Sequence, residues 1–188
     1  MQTELIALLQ AYQPQDQAEQ EFRRLSLEFA STHSDCCRRS CAPGHFTASA
    51  WILSPDADAV LLTHHKKLQR WLQLGGHIEA DQSLTQAALR EAYEESGLAQ
   101  LDLLDSALFD LDVHAIPARA DEPQHWHYDL RFLLRATDLQ YTVSAESHQL
   151  AWLSLQELQH QAQHQQLDAS MQRMLLKTLA LKKLWRLD

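Results

Sequence analysis

Residues 75–98 read GGHIEADQSLTQAALREAYEESGL, and the fold turns on how this stretch is read. It opens on the glycine pair Gly75 and Gly76, where the lack of a Cβ lets a backbone turn or come close to a ligand. A loop follows. Ser83 and Gln86 then form an S-x-x-Q capping box, a start signal for a helix that carries Leu84, Ala87, Ala88, Arg90 and a cluster of glutamates. Gly97 ends that helix as its C′ residue.

At about 100° per residue, Leu84, Ala87 and Ala88 share a side of this helix with Glu91, Glu94 and Glu95, so an apolar stripe turns acidic halfway along. Glutamates spaced i,i+3 and i,i+4 repel one another. They also stand toward the C-terminal end, where the helix dipole disfavours negative charge. A cation answers both costs, and hard oxygen ligands crowded on one face suit Mg²⁺ or Mn²⁺, with substrate phosphates completing the shell. The competing reading is a solvated acidic face; the flanking glycines and the apolar stripe weigh against it.

The stretch resembles the signature of the Nudix hydrolases, G-x5-E-x7-R-E-U-x-E-E-x-G-U with U aliphatic. Gly76 stands at the first glycine, Arg90 and Glu91 at the R-E pair, Ala92 at U, Glu94 and Glu95 at the E-E pair, and Gly97 and Leu98 at the end. Gln82 departs from the pattern, standing where the first glutamate belongs, and Ala92 is small for its position. The resemblance extends from about Gly44 to Glu157.

Working outward, 188 residues with 45% hydrophobic content suffice for one domain with a proper core and an added arm. No apolar run approaches the roughly 18 residues of a membrane span, and MQTELIALLQAYQ has neither a basic n-region nor a signal-like apolar region. We expect a cytoplasmic protein. A formal charge of −9 argues against general affinity for nucleic acid or anionic membranes, so an anionic substrate needs a local basic patch.

On the N-terminal side, Thr3–Tyr12 and Gln15–Ser31 read as two helices separated by Pro14, with Leu5, Leu8 and Leu9 on one apolar face and Phe22, Leu25 and Phe29 on the other. These faces pack either on the catalytic domain or on a second subunit, which leaves a homodimer open. Thr32–Gly44 holds Cys36, Cys37 and Cys41 between His33 and His45. Their spacing lacks a C-x2-C knuckle, so free thiols in a reducing compartment are the simpler account than zinc. Residues 1–43 thus form a helical arm with a cysteine-containing loop, and 44–188 the catalytic domain with its C-terminal helix. Phe46–Leu53 and Ala59–His64 read as hairpin strands around Ser54, Pro55 and Asp56. His64, His65, Lys66 and Lys67 then make a basic group close to the glycine loop. It is either a phosphate contact or a solvated strand end.

Beyond the signature helix, Leu103–Ile116 reads as one long strand or a bent pair, and Trp126–Ala136 as another strand. The loop PARADEPQH between them is a place for substrate choice. Alternation puts His125, His127 and Asp129 on one strand face and Trp126 and Tyr128 on the other. His127 is a candidate to bind phosphate, ligate metal or relay a proton, against the alternative of a strand with its aromatics in the core. Arg119 and Arg131 are further phosphate candidates, because a guanidinium fork suits phosphate oxygens. Tyr141–Val143 and Leu150–Leu153 read as the last strands. Leu153–His160 and Asp168–Leu187 read as closing helices, the latter with Met171, Leu175, Leu179 and Trp185 on its apolar face.

The resemblance implies an α/β/α sandwich with a central mixed β-sheet, here with an N-terminal helical arm, and cleavage of a small-molecule diphosphate by metal-assisted hydrolysis with Mg²⁺ or Mn²⁺. It places metal on the Gly76 carbonyl, Glu91, Glu94 and Glu95, with Arg90 orienting the carboxylates. Glu94, Glu146 and His127 are the candidates for general base, and Glu146 also for an added ligand. ADP-ribose, other nucleoside diphosphate sugars, dinucleoside polyphosphates and oxidised nucleotides all fit as substrates, as does a non-nucleotide diphosphate. A glutamine at 82 weakens any pairing with Arg90, so Gln82→Glu is expected to tighten Mg²⁺ binding. A non-hydrolysing nucleotide sensor is the alternative, supported by Gln82 alone; it would keep metal binding without turnover. An isomerase would need a placed cysteine, and none lies in the strands around the signature.

Overall fold

The computed structural model describes residues 1–65, 70–119, 123–143 and 147–185. In chain order the elements are α1 (Gln2–Ala11), α2 (Gln17–Thr32), β1 (Gly44–Leu53), β2 (Ala59–His65), β3 (Arg70–Leu72), β4 (Leu74–His77), α3 (Leu84–Ser96), β5 (Leu101–Leu103), β6 (Asp110–Ile116), β7 (His125–Ala136), β8 (Ser147–Ser154), α4 (Leu155–Gln163) and α5 (Ala169–Trp185). The strands form one sheet in the order β3-β2-β1-β7-β5, with β4 on β1, β6 on β7 and β8 on β2. All ten residues of β1 are buried, as expected of a strand covered on both faces.

Two compact units share these elements. The first comprises Met1–Ala50, Gly75–Ala92 and Asp105–Phe132. Within it α1 packs on α2, and α2 packs on strands of its own chain. Phe29 of α2 stacks on Tyr128 of β7 with ring centroids 4.4 Å apart. Arg23 of α2 donates to the last carbonyls of α1, at Leu9 and Gln10 (both 2.7 Å), where a cation complements the helix dipole. Glu4 of α1 accepts from the Leu84 amide at 3.1 Å, so the arm caps the start of α3. Ser83 Oγ accepts from the Gln86 amide at 3.2 Å, which is the serine half of the capping box. Leu84, Ala87, Ala88 and Ala92 are fully buried beneath α3; the small Ala92 thus serves as core.

The second unit comprises Trp51–Leu74, Tyr93–Leu104 and Leu133–Asp188. β2 lies between β3 and β8, antiparallel to both. Fully buried Trp51 donates Nε1–H to Thr178 of α5 at 2.9 Å, satisfying its polar atom inside the core. Gly97 ends α3 at φ +63°, its amide donating to the Tyr93 carbonyl at 2.9 Å, the left-handed terminus read from the sequence.

Several boundaries differ from expectation. Gly75 and Gly76 belong to strand β4, and the loop begins only after His77. Leu103–Ile116 is two strands, β5 and β6, both antiparallel to β7; Asp105 Oδ1 accepts the Ala107 amide in a local turn between them. Tyr141–Val143 forms no strand. The Thr142 amide goes to the Ser96 carbonyl at 2.7 Å, closing the end of α3 instead of a sheet ladder. On α5, Met171, Met174, Leu175 and Thr178 face the core, and Trp185 is exposed.

Candidate active site

Strand alternation sends Gly76 to one side of β4 and Gly75 and His77 to the other. A Cβ on Gly76 would lie 2.7 Å from Cδ and both oxygens of Glu91, so the bare backbone is what lets the strand reach the helix carboxylate. Glu91 lies in the first turn of the acidic stretch of α3. Glu94 and Glu95 follow on the same helical face, Glu94 exposed and Glu95 half-buried.

Arg90 braces this junction. Its guanidinium donates to Glu91 Oε1 (2.9 Å), to the His77 carbonyl (2.8 Å) and to both oxygens of Asp81 (3.0 and 3.2 Å). One side chain therefore ties together the end of β4, the following loop and the carboxylate that faces Gly76. The Asp81 hydrogen bonds raise the Arg90 pKa still further, and the same bonds hold the Asp81 carboxyl below the ordinary range. Asp81 escaped the sequence reading, which looked for this partner at 82. Gln82 itself is exposed.

On the other face of β4 the histidines gather. His45 of β1 is buried, its ring centroid 5.0 Å from His77, 4.7 Å from His127 and 5.1 Å from His125. His114 of β6 lies 5.7 Å from His127 and pairs through Nδ1 with Asp112 at 3.0 Å. Burial, and then the neighbouring His45, His114, His77 and His125, push the His127 pKa down to about 2. The ring is therefore neutral at physiological pH. Tyr128 is buried and Trp126 is 45% exposed, so of the two aromatics only the tyrosine joins the core.

Other expected phosphate contacts have different company. Arg131 is 3% exposed, its guanidinium held by Asp129 (2.7 Å), Asp110 (2.9 Å) and Asp112 (3.6 Å). Burial opposes that charge, but the three aspartates prevail and raise its pKa. Thr47 and Ser49 donate to the other Asp129 oxygen. His64 packs edge-on to Trp71 and lines a cavity of about 330 Å³ with Arg70, Gln161, Asp168 and Met171. Arg119 is exposed in the loop after β6. Lys66, Lys67, Glu146 and the side chain of His65 lie outside the described residues. All three cysteines are free thiols.

A carboxylate-bearing helix set against a glycine strand, with an arginine bracing both, can hold a hard divalent ion against an anhydride. The family model of the NUDIX domain matches residues 43–175. The chain belongs to the Nudix family. Among solved structures it is similar to a NUDIX-family hydrolase from Clostridium perfringens, at 29% identity over 74% of this chain and 97% of that one, with a TM-score of 0.52. Both have the α/β/α Nudix fold, a curled mixed sheet with helices. Two further structures share the fold: a C. elegans Ap4A hydrolase (20% identity, 73% and 97% covered, TM-score 0.53) and the MutT protein of Methanosarcina mazei (17%, 76% and 98%, 0.53). No curated protein matches the sequence. Divalent-metal use is general among Nudix enzymes. No helix among the described residues is long and apolar enough to cross a membrane.

Proposed function

We propose that this Nudix protein is a metal-dependent hydrolase that cleaves the diphosphate linkage of a nucleoside diphosphate derivative or a similar small molecule. The observation that carries the reading is the approach of the Gly76 backbone to the Glu91 carboxylate, at the head of an acidic helix face. The donors there are carboxylates and a carbonyl, the chemistry that Mg²⁺ and Mn²⁺ take.

The Gly76 carbonyl, Glu91, Glu94 and Glu95 would hold the metal. When bound, it would supply charge to the phosphate oxygens and lower the pKa of a water. Arg90 positions Glu91 and, through the His77 carbonyl, the strand that carries Gly76. His127 is a weak candidate for base: a ring held at about 2 has little proton affinity at neutral pH, and it shares the His77 face of β4 rather than the Gly76 face. Glu94, exposed on the acidic face, is the base we favour among the described residues. The sensor alternative leaned on Gln82. Since Asp81 holds Arg90 instead, the substitution at 82 costs the site less than the sequence alone implied. The arm at 1–43 acts with the catalytic domain at 44–188 as one enzyme, its Glu4 capping the catalytic helix. We place the enzyme in the cytoplasm.

The test is release of phosphate or nucleoside monophosphate from ADP-ribose, other nucleoside diphosphate sugars, dinucleoside polyphosphates and oxidised nucleotides with Mg²⁺ or Mn²⁺. Glu95→Gln is the control. Metal-dependent turnover that disappears in the control supports the hydrolase. Metal binding by folded protein with no turnover of any compound would count against it.

A further inference from the structure

The side chains of His45, His77 and His127 gather on the face of β4 opposite the one on which Gly76 meets Glu91. We propose that His45, His77 and His127 form a second metal site, for a borderline transition ion of the Zn²⁺ type. One ring nitrogen from each lies within 4.8 Å of the others. Tetrahedral zinc with Zn–N bonds of about 2.0–2.1 Å sets its ligand nitrogens about 3.3 Å apart, so small rotations about χ2 close the triangle around an ion. The three ligands come from β1, β4 and β7, and backbone paired in a sheet holds side chains more precisely than loops do.

Ligand chemistry separates this site from the first. Imidazole selects zinc, nickel, copper or cobalt, whereas carboxylate and carbonyl oxygens select magnesium and manganese. The three rings also pay desolvation that aliphatic side chains in the same space would avoid, a cost that metal bonds offset. His45 is buried while His77 and His127 are half-buried, leaving an ion a way in.

The surroundings resemble the outer layer of a metal site. The Pro123 carbonyl can only accept, so its 2.9 Å contact puts a proton on His125 Nδ1; where that is the ring's one proton, Nε2 is an acceptor. His125 Nε2 then accepts from Nε2–H of His127 at 3.1 Å, which leaves the His127 lone pair on Nδ1. An imidazole ligand whose other nitrogen donates into such a chain is oriented and made more basic. An ion that bound His127 through Nε2 would instead recruit His125 as a fourth ligand. His114, paired with Asp112, packs against His127 from β6 and adds a carboxylate–histidine pair to the rim.

The full chain, stripped with chelator, is titrated with Zn²⁺ by calorimetry and with Co²⁺ by visible absorption. We expect saturable uptake of about one Zn²⁺ per chain, with cobalt bands typical of a four-coordinate nitrogen-rich site. His77→Asn and His127→Asn should each weaken uptake by at least about tenfold and abolish those bands, while Glu95→Gln keeps both. These two positions are half-buried, so they carry the test if His45→Asn fails to fold; circular dichroism checks each variant. No saturable zinc uptake by the folded wild type would overturn the proposal. So would uptake lost in Glu95→Gln and kept in the histidine variants.

Discussion

Arg90 is gripped by Asp81, one residue before the position where the family signature carries its first glutamate, through two hydrogen bonds of 3.0 and 3.2 Å. The side chain at 82 is exposed, and the arginine also donates to Glu91 and the His77 carbonyl. Asp81→Asn should therefore lower metal-dependent turnover by about tenfold or more, the scale of losing an outer-layer partner. Gln82→Glu should change Mg²⁺ affinity by no more than about fivefold, the equivalent of the ~1 kcal/mol upper range of an exposed ion pair. A larger effect at 82 than at 81, measured by metal titration, would refute this assignment.

Gly76→Ala tests the contact between strand and helix. The added methyl would meet the Glu91 carboxylate at 2.7 Å, closer than real Cβ contacts come, so the carboxylate must shift at the expense of its Arg90 hydrogen bond. Its displacement separates two of the proposed metal donors without removing either. We expect metal affinity to fall about 10- to 100-fold with the melting temperature nearly unchanged. Wild-type affinity in the alanine variant would show that Gly76 and Glu91 do not share an ion.

What was legible in the sequence was local. Ser83, Gly97 and the apolar stripe of α3 act within a few residues of themselves, so spacing alone sufficed to place the helix and its ends. His125 and His127 were likewise put on one face by strand alternation, and they touch. What lay beyond the sequence was partnership across distance. His45, His77 and His114 join those two only because separate strands meet. Arg131 reads the same whether it faces a phosphate or Asp110, which lies 21 positions away. The use of Asp81 depended on the path of a loop, and Thr142 gave up a ladder bond for the end of α3.

Arg131 pairs with Asp110, Asp112 and Asp129 in a buried charge cluster. Arg131→Met keeps much of the volume but leaves the carboxylates without their counter-charge. Breaking a buried pair in this way costs about 3–5 kcal/mol. Urea unfolding should show that loss as a lower midpoint. A midpoint close to wild type would mean that the aspartates take up protons or water at little cost.

The Asp81–Arg90 pair should also leave a mark on acid stability. Arginine hydrogen bonds hold the Asp81 carboxyl below its ordinary value, so near pH 4 the unfolded chain binds more protons here than the folded one. Stability from this group is therefore complete above the unfolded value of about 3.9 and is lost as pH falls through the lower folded value. Asp81→Asn lacks that contribution at every pH. The difference in urea midpoint between wild type and Asp81→Asn should stay level between about pH 8 and 5, then narrow below about pH 4. A gap that persists unchanged into acid would assign the loss to altered packing in the loop after β4 rather than to the charge that holds Arg90.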